Sequence, residues 1–277
     1  MSHHRSPARP LAALARLLMT AALLVGCGSD GGDDAAAAGG GGATTTTPEL
    51  EGEIRVSAAA SLTESFEDIA DDFTAANPGT EVTFTFDSSK VLVGQIVEGG
   101  APADVFASAD EANMQTLVDE EVVEGAPETF ARNRLAIVTQ PGNPTGIRTL
   151  ADLADAEVVS LCAEDAPCGR FAQEVLEGAG VAIDEGSVTR GQNAKATLTA
   201  VTDGDAEAAI VYVTDAATAG DAVTVVELPD EQNVVAVYPI GVLADASNGP
   251  VAEAFVAHVL GEEGQAVLAD RGFLPPA

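Results

Sequence analysis

"IRVSAAASLTESFEDIADDF", residues 54–73, changes its period halfway along, and that change decides the fold. Residues 54–60 form a short apolar run that predicts a strand. Phe66, Ile69, Ala70 and Phe73 then recur at i, i+3, i+4 and i+7, which places them on one face of a helix. Between the two stand Ser61 and Glu64, at the S-x-x-E spacing of a capping box, in which the two side chains satisfy free N–H groups at a helix start. A helix start following a strand carries unsatisfied N–H groups and a partial positive charge, so it is also a potential seat for an anion.

The same alternation continues along the chain. Strands are expected at 81–86, 104–108, 134–140, 157–162, 206–213 and 234–243. Between them lie helical patterns with Leu92, Val93, Ile96 and Val97 inward, then Met114, Leu117 and Val118, then "GRFAQEVLEGAG" and "NAKATLTAVTDG". Closing helices are expected over 250–273. Short apolar runs alternating with helical patterns predict an α/β chain. No fixed period repeats, which excludes a solenoid or propeller.

The N-terminus has a different logic. Arg5, Arg9 and Arg16 precede and flank the apolar stretch "LLMTAALLVG", which ends at Cys27, the pattern of an export signal over residues 1–27. The ending "LVGC" resembles a lipobox, with Cys27 as the lipidated first residue; the alternative is an ordinary signal peptide cleaved nearby. Residues 28–52, rich in Gly, Asp and Thr, cannot bury a core and predict a flexible linker. Removing residues 1–27 takes away three arginines and no acids. What remains holds 44 acidic against nine basic residues, a formal net charge of −35. Such a chain is a poor ligand for nucleic acid. Cys162 and Cys168, six apart in an exported chain, read as a small-loop disulfide or else as two free thiols.

Enzymatic chemistry finds little support. After residue 27 the only histidine is His258, inside the apolar pattern "AFVAHVL", where it reads as a helix-packing residue. There is no G-x-S-x-G elbow, no H-E-x-x-H, no phosphate-binding glycine loop and no zinc spacing. What recurs is a strand, then a small or hydroxyl residue, then a helix start. It occurs at Ser61, at Ser88 and Ser89, at "PCG" (167–169) and at "QNAK" (192–195). In open α/β sheets ligands gather at such helix ends, beyond the carboxyl ends of the strands.

"AAASLTESFEDIADDF", "QIVEGGAPADVFASAD", "PCGRFAQEVLEGAG", "AAIVYVTDA", "YPIGVL" and "GQAVLADRGF" together resemble the periplasmic molybdate-binding proteins of ABC transporters, the ModA family, from about Ile54 to Phe273. The resemblance implies a type II, Venus-flytrap solute-binding protein of two lobes, each a mixed sheet flanked by helices. Lobe 1 would comprise residues 53–133 and 234–277, and lobe 2 residues 134–233. It implies a molybdate site made of the Ser61 and Ser89 hydroxyls, the Tyr212 hydroxyl and the backbone N–H groups of Cys168 and Ala194, with Ser88 as a possible addition. Cys168 stands where the family usually has a small residue, and Lys90 where it commonly has a small or polar one. The ligand would be molybdate or tungstate, with no other metal and no cofactor.

On this reading the chain is no enzyme but a lipid-anchored monomer on the extracytoplasmic face of the membrane. It would hand its oxyanion to the permease of an ABC importer. Rival readings are a receptor for sulfate or another solute, an exported hydrolase using one of the serines, and an adhesion lipoprotein.

Overall fold

The computed structural model of the chain describes residues 49–276. The export signal with Cys27, and the linker up to residue 48, lie outside the described residues. Nine strands follow: β1 (Gly52–Ala59), β2 (Thr80–Asp87), β3 (Val105–Ala107), β4 (Glu128–Thr139), β5 (Val159–Cys162), β6 (Val188–Gly191), β7 (Ala208–Tyr212), β8 (Thr224–Glu227) and β9 (Val235–Val242). The helices are α1 (Thr63–Ala76), α2 (Ser89–Val97), α3 (Glu111–Asp119), α4 (Pro167–Gly178), α5 (Ala194–Thr202), α6 (Val213–Ala219), α7 (Gly249–Leu260) and α8 (Glu262–Asp270).

The strands make two mixed sheets that share β4. In the first, β1 runs parallel to β2 and β3, β3 pairs antiparallel with β9, and β9 pairs antiparallel with β4 as far as Arg134. From Leu135 onward β4 pairs with β7 and β8, and parallel pairing carries the second sheet on through β5 to β6. The returning chain is clipped at the same place: the Asn233 side chain accepts from Leu135 N–H at 3.0 Å and donates to Leu135 C=O at 2.8 Å. The result is an α/β fold of two sheets joined through the one long strand β4.

Helix α1 buries the stripe its spacing predicts, Phe66, Ile69, Ala70 and Phe73. Phe66 meets Phe84, Phe130 and Phe255 edge-on, with centroids 5.6–6.4 Å apart across this cluster. Each fully buried phenylalanine contributes roughly 1.5–3 kcal/mol by removal of apolar surface from water, so this aromatic knot anchors the first lobe. His258 packs on Phe73 at 5.6 Å, as a helix-packing residue.

Three features differ from expectation. The capping box does not form. Residues 60–62 make a 3-10 turn, so α1 begins at Thr63 with Leu62 in the cap position and no side-chain cap. Ser61 instead pairs with Tyr238, and Glu64 finds a stronger partner in the ammonium of Lys195. Strand β4 starts six residues before the expected 134, because a register shift between Thr129 and Ala131 buries Phe130 and Ala131 together and breaks the period of two. Strands β6 and β8, four residues long and partly exposed, and helix α6, which takes Val213 from the expected strand 206–213, have no counterpart in the sequence pattern.

Candidate functional site

Five chain segments end at one small cavity, and each arrives from the carboxyl end of a strand. The turn after β1 brings Ala60 and Ser61; the start of α2 brings Ser88 and Ser89; α4 brings Pro167 and Cys168; α5 brings Asn193 and Ala194; and Tyr212 closes β7. Ala109, beyond β3, completes the wall. The six residues singled out from the sequence, Ser61, Ser88, Ser89, Cys168, Ala194 and Tyr212, are therefore brought together, and all are buried. The cavity measures about 10 Å³ of space for the centre of a water molecule, far below the hundreds of cubic ångströms that drug-sized ligands occupy. It suits a small ion and excludes a sugar or peptide.

Each wall presents a hydrogen-bond donor. Ser89, Cys168 and Ala194 lie in the first turns of α2, α4 and α5, where N–H groups have no intrahelical acceptor. Pro167 at the start of α4 fits there because its missing N–H would have been unpaired. Ser89 Oγ accepts from Ala109 N–H at 3.0 Å, so its own hydrogen is free for the cavity. Ser88 and Asn193 cap their helices, accepting from Val91 N–H at 3.3 Å and Ala196 N–H at 3.0 Å. The Tyr212 hydroxyl is buried with no hydrogen-bond partner within 3.5 Å among the described residues, the Tyr238 hydroxyl being its nearby polar neighbour. Burial foremost, with Tyr238 and Asp215 adding, raises its pKa well above the ordinary phenol value, so it remains a donor.

No carboxylate and no cation lines the cavity. Lys90 is exposed on the surface. Charges instead form a ring just outside, in pairs that join the two lobes. Lys195 Nζ lies 2.6 Å from both carboxylate oxygens of Glu64, Asn193 donates to Asp87 at 3.0 Å, and Arg170 pairs with Asp110. Behind Lys195, at 3.6 Å, lies the wholly buried Asp215, whose pKa burial pushes up to about 6 against the pull of Lys195. Sequence reading missed Asn133 and Tyr238, whose partners lie 81 and 177 positions away, and Asp215, whose partner Lys195 lies 20 positions away on another helix; local spacing reveals none of these.

Cys162 and Cys168 are joined as a disulfide, Cα atoms 5.8 Å apart, which ties the end of β5 to the first turn of α4. Gly169 is required beside it: a Cβ there would meet the Ala163 carbonyl oxygen at 2.0 Å. Bridge and glycine together hold the Cys168 N–H against the cavity.

Residues 54–274 match the family described as bacterial extracellular solute-binding protein. The molybdate-binding protein ModA of Mycobacterium tuberculosis is 38% identical over 224 residues, covering 80% of this chain and 85% of the relative. Among solved structures, the periplasmic molybdate-binding protein of Azotobacter vinelandii superposes with a TM-score of 0.73 at 19% identity, covering 81% of this chain and all of that one. The sulfate-binding protein SubI of M. tuberculosis also gives 0.73 at 19%, covering 81% and 87%. At such identities the two structures speak for the fold alone.

Proposed function

The chain belongs to the ModA family of bacterial extracellular solute-binding proteins, transport receptors and not enzymes, and from that premise we propose that it binds molybdate, and tungstate with it, for delivery to an ABC importer. The observation that carries this reading is the orphaned Tyr212 hydroxyl, held protonated in a cavity whose other polar groups are serine hydroxyls and first-turn N–H groups. A buried O–H without an acceptor costs about 1–3 kcal/mol, a cost that an oxyanion in the cavity would remove.

The charge state of the ligand follows from the same donors. Molybdate is a dianion without a proton near neutrality, so a cavity of donors can satisfy all its oxygens. Phosphate retains a proton there and calls for an acceptor such as a carboxylate, and none lines this cavity; a wrongly paired polar group is what lets a binding site reject an isostere strongly. In this reading Ser61, Ser89 and Tyr212 donate through hydroxyls, Cys168 and Ala194 through N–H groups, and Ser88 stands in reserve. Local dipoles act at contact distance, whereas the field of the acidic surface is screened beyond about 8 Å in physiological salt.

The rest of the proposal concerns the whole chain. Lobe 1 comprises residues 53–133 and 234–277 and lobe 2 residues 134–233, a division supported by the change of pairing partner at Arg134 and Leu135. Closure of the lobes on the anion expels water and presents the closed form to the permease. A lipid on Cys27 and the linker of residues 28–52 hold the monomer at the extracytoplasmic face.

Calorimetric titration with molybdate, tungstate, sulfate and phosphate in one buffer tests this. Tight one-to-one binding of the first two, with the others far weaker, is expected. A sulfate receptor is the second reading, because a donor-only cavity suits that dianion equally; sulfate binding above molybdate would establish it. Silence toward all four would overturn both.

A further inference from the structure

We propose that Asn133 and Tyr238 are positioning residues, a relay that fixes the Ser61 hydroxyl as a donor into the cavity; the proposal rests on the reading of that cavity as an oxyanion site. Both lie on the strands that join the lobes, Asn133 on β4 and Tyr238 on β9. Asn133 faces Ala236 across the ladder, two residues before Tyr238. Residues two apart on one strand share a face, so the two side chains meet.

The direction of each hydrogen bond can be worked out. Arg134 N–H donates to Asn133 Oδ1 at 2.9 Å, which identifies the amide oxygen and leaves Nδ2 as the donor end. Nδ2 donates to Thr214 Oγ1 at 2.9 Å and, more weakly, to the Tyr238 hydroxyl at 3.4 Å. Tyr238 and Ser61 are 2.9 Å apart, and either could donate. If Ser61 donated, the phenolic hydrogen of Tyr238 would have no acceptor within 3.5 Å, since Asn133 presents N–H there, and could turn only to the more distant Tyr212 hydroxyl. If Tyr238 donates, its hydrogen is taken by Ser61 Oγ and the Ser61 hydrogen is left for the anion that the oxyanion reading puts in the cavity. With that anion bound, the second arrangement leaves neither hydroxyl hydrogen buried without an acceptor, and the cost of such a group decides between the two.

Ser61 Oγ therefore accepts from Tyr238, and its own hydrogen turns to the cavity. Ser89 is set the same way by Ala109 N–H. The two serines differ in one respect: a backbone N–H cannot be reversed, whereas the Tyr238 relay can be removed by a single oxygen. Without it, Ser61 is free to rotate and present a lone pair, which would let a monoprotonated anion compete.

The test is calorimetry on the full chain and on Ser61→Ala, Tyr238→Phe and the double variant, each titrated with molybdate and with phosphate at pH 7. Tyr238→Phe is expected to weaken molybdate about tenfold, to narrow the ratio of molybdate over phosphate, and to add nothing to Ser61→Ala. A tyrosine that only packs the core would lower thermal stability and give additive losses with an unchanged ratio. Unchanged molybdate affinity in Tyr238→Phe, or full additivity, would overturn the relay while leaving the oxyanion reading intact. A wild-type chain that binds neither anion, nor tungstate or sulfate, would overturn that reading and the relay together. Should Tyr238→Phe fail to fold, proton NMR of the wild-type chain decides: the Tyr238 hydroxyl proton should exchange slowly and lie close to the Ser61 β protons, and its absence there sinks the relay.

Discussion

Glu64 on α1 and Lys195 on α5 meet across the two lobes, with Nζ 2.6 Å from each carboxylate oxygen. Asp87 with Asn193 and Asp110 with Arg170 repeat the relation around the same cavity. In all three the acid comes from the chain before β4 and the donor from the chain after it. Lobe surfaces so matched attract each other, and each pair also keeps a carboxylate turned away from the anion seat. Lys195 follows Ala194 directly, so the clasp and the N–H donor move as one piece.

Glu64→Gln should weaken molybdate binding about fivefold, since a part-buried pair of this kind contributes roughly 1 kcal/mol to the closed arrangement. Added salt should weaken the wild-type chain more than the variant. Equal salt slopes in titrations at two ionic strengths would show that the pair takes no part in closure.

Ser61→Ala and Ser89→Ala should each cost about 1–3 kcal/mol of binding, the value of a buried hydrogen bond to a charged group. Ser88→Ala should cost chiefly helix stability, about 1 kcal/mol, because its oxygen is engaged as the cap of α2. Thermal melts alongside titrations separate the two effects. Equal affinity losses at Ser88 and Ser89 would mean that the cap reading is wrong.

Asp215 predicts an unusual pH dependence. Burial first, with Glu64 adding and Lys195 opposing, lifts its pKa from 3.8 to about 6 in the folded chain. Between those values the folded state holds more protons than the unfolded, so this group favours folding more as pH falls through 6 toward 4. Above pH 6 its cost is fully present, on the order of 3 kcal/mol. Asp215→Asn should therefore melt higher than wild type at pH 8 and lose that advantage near pH 4. A constant difference across the range would mean that Asp215 is ionised throughout.

How much of this was legible beforehand depended on the range of the signal. The helix stripe of α1 and the cluster of Ser61, Ser89, Cys168, Ala194 and Tyr212 could be found because periodicity and strand-to-helix turns are local, and because the motifs resemble a known family. The capping box of Ser61 and Glu64 was locally sound, yet it lost to partners at 177 and 131 positions' distance. Asn133 carried no signal at all: its role is set by an antiparallel register that begins behind a bulge. Local spacing thus located the helix starts, the family resemblance added Tyr212 and the donor roles, and only the tertiary pairing brings in Asn133 and Tyr238.

The Cys162–Cys168 bridge should matter more to stability than to recognition. Replacing both cysteines by alanine keeps the backbone N–H at 168 and frees a short loop, which should lower stability by about 2 kcal/mol. For a domain of this size that is a fall of about 4–8 °C in melting temperature. Molybdate affinity should fall by less, through loosening of the α4 start. Lost binding with an unchanged melting temperature would instead make the sulfur atoms part of the site.

Tyr212→Phe offers the sharpest test, because two effects of one oxygen should have opposite signs. In the structure that hydroxyl is buried and unpaired, so deleting it should raise the stability of the ligand-free chain by about 1–3 kcal/mol. If the same hydroxyl donates to the anion, deleting it should also weaken binding, by a similar amount. Melting curves recorded with and without saturating molybdate would read both: the variant should start higher and gain less from the ligand. A variant that starts lower would mean that the hydroxyl has a partner within the protein. One that starts higher but gains as much as wild type would remove Tyr212 from the site, leaving the serines and helix ends to hold the anion alone.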